Sequence, residues 1–263
     1  MEASKLDALA AELLTAERLR KPVAPLMERF PELTVDDAYA IQIRVIQQKM
    51  SAGAVVVGKK IGLTSRAMQD MFGVREPDYG LILNTAVVPE SVPLSLTRLI
   101  QPRVESEICF VLKEDLKGPG VNVAKVLQAT CGVMPALEII DSRFRDWKIK
   151  IQDTVADSAS NAAIILGSKL TRIEDLDLRL IGLTLERDGE VVATASGAAV
   201  LGNPAEAVAW LANRLGEYDV NFSLKAGEFI MSGSLTAALP VAAGTSVRAT
   251  FDRLGSVSAR FVS

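Results

Sequence analysis

No histidine occurs among the 263 residues of this chain. That excludes Ser-His-Asp and Cys-His nucleophilic mechanisms and every His-ligated zinc or iron site. Cysteine is nearly as scarce. Cys109 and Cys131 are too few for a thiolate zinc centre. Both stand in apolar stretches and read as reduced core residues of a cytoplasmic protein. No apolar run approaches the ~20 residues that span a bilayer. The N-terminus, "MEASKLDALAAELLTAERLR", is charged throughout and lacks the apolar core of a signal peptide. A formal net charge of -3, with no basic run longer than Lys59-Lys60, offers nothing to nucleic acid. Chemistry is left to carboxylates, lysine, tyrosine, hydroxyls, water, or a hard metal ion held by oxygen.

What is present is a globular composition, 49% apolar, with ample length for a core. Leu6, Leu9, Ala10, Leu13 and Leu14 recur at helical spacing, so residues 4–20 are read as an amphipathic helix. A second helix is predicted to follow Thr34, an N-cap completed by Asp37 as a capping box, and to reach about Met50. From there short apolar runs alternate with Gly, Pro and Asp clusters. Strands are predicted near 55–60, 104–112, 135–140, 162–166, 178–187, 228–232, 246–252 and 256–262. Asn203 and Pro204 open another helix over "AEAVAWLANRL", and "VNVAKVLQA" reads as a shorter one. The fold class expected is α+β: a helical part over 1–54 and a β-rich body over 55–263, forming one structural unit.

The stretch "QPRVESEICFVL" places Glu105 and Glu107 two apart on a strand, hence on one face. Val104, Ser106, Ile108 and Phe110 take the other. Two like charges on a half-buried face repel unless a cation intervenes or one is protonated; the plain alternative is a solvent-facing edge strand. In "GVMPALEIIDSR" a third acid, Glu138, interrupts another apolar strand, where an unpaired carboxylate is costly. Three strand-borne glutamates without His or Cys suit Mg²⁺ or Mn²⁺. The competing reading pairs them with Arg103 and Arg143. In "VVVGKKIG", Lys60 sits at a strand end among glycines, where burial could lower its pKa enough for acid–base work. "EPDYG" reads as a turn carrying Asp78 and Tyr79. In "VADSASNAA", Ser158, Ser160 and Asn161 are either hydrogen-bonding groups for a small polar ligand or turn residues closing on themselves.

Together with "DLKGPGV", "MPALEIIDSRFRDWKIKIQDTVAD", "GAAVLGNP", "VAWLANRL" and "LGSVSARF", these blocks resemble one family over nearly the whole chain. It comprises the hydratases and decarboxylases of 2-hydroxydienoate and 2-oxoenoate acids from aromatic meta-cleavage pathways, within the fumarylacetoacetate hydrolase superfamily. The resemblance implies a mixed β-sheet roll with N-terminal helices, usually a homo-oligomer. It aligns Glu105, Glu107 and Glu138 with ligands for Mg²⁺ or Mn²⁺, Lys60 with an active-site lysine, and Asp78 with an acid for proton transfer. "GKKIGLTS" and "RDWKIKIQDTVAD" are similar to the hydratases of 2-hydroxypenta-2,4-dienoate, which is the activity expected. "GEFIMSGSLTAALPVAAG" is more similar to the 4-oxalocrotonate decarboxylases, the alternative. Ser158 and Asn161 depart from the Asn and Cys frequent in the hydratases. Ser160 is expected to touch the substrate, a small 2-oxo or 2-hydroxy-dienoate acid, and Thr236 to lie at its distal end. A complex with a sister hydratase or decarboxylase, and a non-catalytic partner subunit, are the remaining expectations.

Overall fold

The computed structural model describes residues 1–218 and 223–263. Helices α1 (Ala3–Leu19), α2 (Leu26–Arg29) and α3 (Val35–Ser51) come first. Leu6, Leu9, Ala10, Leu13 and Ala16 form the buried stripe of α1, the i, i+3, i+4, i+7 pattern of a helix with one apolar face. At the start of α3 the Thr34 hydroxyl accepts from the Asp37 amide while Asp37 accepts from the Thr34 amide, the reciprocal box the sequence predicts. Thr34→Ala removes one half of that exchange. A loss of about 1 kcal/mol is expected in a denaturant titration, with no change in any ligand-binding property.

Strands β1 (Val56–Gly62), β2 (Asp78–Leu83), β3 (Leu94–Ser95), β4 (Arg103–Leu112), β5 (Thr130–Ile140) and β6 (Asn161–Leu166) follow, with helices α4 (Arg66–Phe72), α5 (Val123–Ala129) and α6 (Ile151–Ala156) between them. The chain continues through β7 (Gly182–Arg187), β8 (Glu190–Ser196), α7 (Pro204–Tyr218), β9 (Phe229–Ser234), β10 (Leu239–Pro240), β11 (Ser246–Phe251) and β12 (Gly255–Val262). One sheet runs β2-β1-β9-β4-β5-β6, with β10 added beside β4; the other runs β3-β12-β11-β7-β8. Both are mixed, since β1–β9 and β12–β3 are parallel and the remaining pairs antiparallel. The α+β class and the N-terminal helices are as expected. No helix among the described residues is long and apolar enough to cross a membrane.

Several elements escaped the pattern reading. "EPDYG" is not a turn: Asp78 opens β2, which pairs with β1 from Gly62↔Asp78 to Val56↔Leu83. Turn-type residues concealed a strand whose stability comes from its neighbour and from burial. Strand β8 and helices α4 and α6 were likewise unread, and residues 178–180 form a 3₁₀ turn ahead of β7. Cys109 is a buried thiol as predicted, but Cys131 is exposed, not a core residue.

Candidate active site

Strand β4 is the middle of the site. Val104, Ser106, Ile108 and Phe110 are wholly buried on one face. On the other, Glu105 stands directly across from Glu138 of β5, and Glu107 lies across from Ser234 of β9. One carboxylate oxygen from each of Glu105, Glu107 and Glu138 can be chosen so that all three lie within 4.8 Å of one another. Glu107 and Glu138 are completely shielded from solvent, so the cluster is not a solvated sheet edge.

Each acid is held by a specific partner. Glu107 Oε2 accepts from the Gly233 amide at 2.7 Å. Gly233 has φ +110°, and a Cβ there would meet the Thr64 hydroxyl at 2.1 Å, so only glycine brings this amide into place. Glu138 Oε1 accepts from the Asn161 side-chain amide at 2.9 Å, and Glu138 Oε2 lies 3.4 Å from Lys60 Nζ. The Lys60 ammonium also donates to the Ala159 carbonyl at 3.0 Å. Asp78 faces the same region: a Cβ on Gly62 would lie 2.2 Å from Asp78 Oδ1 and 3.5 Å from Lys60 Nζ. Glycine at position 62 therefore leaves room for the acid beside the lysine.

Four acids surround one ammonium, and the electrostatics follow. Burial alone would push the Lys60 ammonium down, but Glu138, Glu105, Asp78 and Glu107 outweigh it and hold the pKa above the ordinary lysine value. This reverses the sequence expectation of a lowered lysine: the surrounding charge wins over desolvation. Burial, with Glu138 and Asp78 nearby, pushes Glu105 up to about 7 against the pull of Lys60. Burial and the neighbouring Glu138 and Glu105 raise Glu107 well above the carboxylate range, and burial raises Asp78. One ammonium does not compensate this much buried acid. Glu107 Oε1 and Glu138 Oε2 are buried without a hydrogen-bond partner. Convergent, dry carboxylate oxygens, one unpartnered and one facing only the Lys60 ammonium at 3.4 Å, are the donor set a hard divalent cation takes.

Beside the cluster lies a cavity of about 290 Å³, walled on its apolar side by Met68, Phe72, Ile140, Trp147 and Ile149. Lys60, Asp78, Glu105, Ser160 and Thr236 all line it. The hydroxyls of Ser160 and Thr236 are buried with no partner, as is Asp78 Oδ1. Arg103, unread as a site residue, also lines the cavity and lays its guanidinium 4.6 Å from the Trp147 ring centre. Arg143 is not a partner of the glutamates; it pairs with Asp157. A larger cavity of about 660 Å³ lies on the far side of residues 158–161, between α1, α3 and the loop after β2, away from the three glutamates.

Residues 54–262 match the family described as fumarylacetoacetate (FAA) hydrolase C-terminal. A 2-hydroxypent-2,4-dienoate hydratase of Pseudomonas putida is 46% identical over 222 residues, covering 84% of this chain and 100% of that protein. A 4-oxalocrotonate decarboxylase of a Pseudomonas species is 42% identical over 255 residues, covering 97% of this chain and 96% of that one. Among solved structures, a 4-oxalocrotonate decarboxylase from Pseudomonas putida G7, complexed with magnesium and adipate, superposes with TM-score 0.96 at 40% identity, covering 100% of this chain and 99% of that chain. By matched length, identity and superposition alike, the chain belongs to the fumarylacetoacetate hydrolase family.

Proposed function

We propose that the chain is a divalent-metal-dependent hydratase that adds water to 2-hydroxypenta-2,4-dienoate, giving 4-hydroxy-2-oxopentanoate in the meta-cleavage catabolism of aromatic compounds. One observation carries this reading. Three glutamates, two fully buried and Glu105 half-buried, converge beside Lys60 and Asp78 at one end of a cavity whose other wall is apolar. Glu105, Glu107 and Glu138 would hold Mg²⁺ or Mn²⁺, a Lewis acid for the carboxylate and 2-oxo oxygens of the substrate.

The protein's own groups handle protons and position. As the enol ketonises, its O–H proton leaves and C5 gains one; water then adds oxygen at C4 and hydrogen at C3. Lys60, whose ammonium lies 3.4 Å from Glu138 Oε2 and lines the cavity, is the proton donor. Asp78 accepts, its Oδ1 having no other partner. The free hydroxyl of Ser160 orients the substrate, Thr236 lies at its distal end, and Met68 and Phe72 suit the vinyl group there. Cys109 and Cys131 are both unpaired thiols, which suits a cytoplasmic setting. The arrangement of Lys60 with three convergent acids argues against a catalytically silent partner subunit.

A second reading has its own support. Arg103 gives the cavity a second cation, and the Thr236 hydroxyl is a neutral donor that could receive a distal carboxylate without gripping it. Both fit 2-oxo-3-hexenedioate and its decarboxylation. Purified protein with Mg²⁺ or Mn²⁺ should be offered each substrate, with dienoate loss and carbon dioxide release followed separately. Dienoate loss is expected to have the higher kcat/KM by about tenfold or more, a margin of one or two well-placed contacts; faster carbon dioxide release would install the second reading. Thr236→Val is expected to leave five-carbon hydration within about twofold and to weaken six-carbon diacid recognition about tenfold, the cost of one lost hydrogen bond to a charged group. Equal effects on both substrates would make Thr236 a structural residue.

A further inference from the structure

Ser158, Ala159 and Ser160 are consecutive, none is glycine, and all have positive φ: 53°, 49° and 56°. L-residues enter this region singly and at a cost, so three in succession must be held by something outside the turn. All three are buried. The turn lies against β2, where a Cβ on Gly80 would come within 2.3 Å of the Ser158 carbonyl oxygen. Gly80 is the register partner of Lys60. From this position the turn offers the Ala159 carbonyl to Lys60 Nζ.

Two outside groups hold it: the Asp141 amide donates to the Ser160 carbonyl at 2.8 Å, and Arg143, 6% exposed, reaches both ends of the turn with its guanidinium. Before it, Arg143 Nε donates to Asp157 Oδ1 and Nη2 donates to the Asp157 carbonyl at 2.8 Å. After it, Nη1 and Nη2 each approach the Asn161 carbonyl at 3.4 Å. The Arg143 backbone amide adds a bond to Asp157 Oδ2 at 3.0 Å. A buried ion pair is a poor way to gain stability, because desolvation offsets most of the attraction. A planar fork that spans a strained segment is a good way to fix geometry.

We propose that the Arg143–Asp157 pair is a positioning device for the reaction: by clamping residues 158–160 in a left-handed turn, it sets the carbonyl that aims the Lys60 ammonium into the cavity. This rests on Lys60 being the proton donor. Asp157→Asn keeps the shape and removes the charge that grips the fork. With Mg²⁺ and 2-hydroxypenta-2,4-dienoate, kcat is expected to fall about tenfold or more with KM within about threefold, the signature of a misplaced group. A second readout needs no turnover. In ¹⁵N-lysine-labelled protein the Lys60 ammonium signal, assigned by its absence in Lys60→Ala, should lose its protection from solvent exchange. The Lys59 signal should keep its protection, because Lys59 is tied to Glu228 at 2.6 Å. Should Asp157→Asn not fold, both measurements pass to Arg143→Lys, which keeps the charge but loses the fork.

A folded variant with parent-like Lys60 protection and kcat within about twofold, whatever its Tm, would make the pair merely structural and overturn the proposal. Lys60→Ala separates the two failures. If it collapses kcat while Asp157→Asn does not, only the clamp is wrong. If it leaves kcat intact, Lys60 is not the donor and the clamp falls with it.

Discussion

Glu107→Gln is expected to abolish metal-dependent turnover, with kcat/KM down by about 10³ or more, while leaving the fold intact; loss of a group that orients a Lewis acid at the reacting atoms reaches this size. The reason lies in the two oxygens of this carboxylate. Oε2 accepts from the Gly233 amide, and Oε1 is buried with no partner. A glutamine must keep its oxygen toward Gly233, since its NH₂ would set donor against donor. Its NH₂ then points toward Glu105 and Glu138, a hydrogen-bond donor where a cation needs a lone pair. One negative charge is lost as well. The measurement is direct: titrate Mn²⁺ by electron paramagnetic resonance and follow Tm with and without the ion. A ligand at a hundredfold its Kd stabilises by about 2.7 kcal/mol, so the parent should show a clear upward Tm shift and the variant almost none. Without metal the variant should be no less stable than the parent, because a buried carboxylate whose neighbours repel it has been neutralised. A variant that keeps both the Mn²⁺-dependent shift and its turnover would remove Glu107 from the metal site.

Much of this was legible in the chain because the relevant physics is local. The period-two spacing of Glu105 and Glu107 and the apolar run around Glu138 are enough to place three acids on strands, and the Thr34–Asp37 box announces α3 by itself. What was hidden is set by distant partners. Nothing in "DSAS" signals three left-handed residues without glycine; the turn is held by bonds from Asp141 and from Arg143, fourteen positions before Asp157. Asp78 was concealed by turn-forming neighbours, although its strand is fixed by pairing with β1. Lys60 was misjudged in the direction of its pKa, because spacing tells that a lysine is buried but not how many carboxylates converge on it. Arg103 gave no signal beyond its nearness to Glu105, and its place in the cavity wall depends on Trp147 arriving from a different segment.

Lys60→Ala is expected to lower kcat by about 10²–10⁴ with little change in KM, the range over which a positioned proton donor contributes. It also discriminates donor from ligand through metal affinity. Lys60 Nζ lies 3.4 Å from Glu138 Oε2 and competes with a dication for that carboxylate. Removing the ammonium should therefore leave Mn²⁺ binding unchanged or tighten it, the opposite of Glu107→Gln. An effect confined to KM would make Lys60 an anchor for the substrate carboxylate instead. The neighbouring lysine supplies the control. Lys59 points to the opposite face of β1 and donates to both oxygens of Glu228, clear of the cavity. Lys59→Met leaves the buried Glu228 without its cation, held only by the Lys225 amide, and should cost about 3 kcal/mol of stability, yet the folded fraction should turn over at the parental rate. Two adjacent lysines would then separate cleanly, one by chemistry and one by stability, because strand alternation sends them to opposite sides of the sheet. If Lys59→Met lost kcat as severely as Lys60→Ala, the damage would be to β1 itself, and the proton-donor role of Lys60 would lose its support.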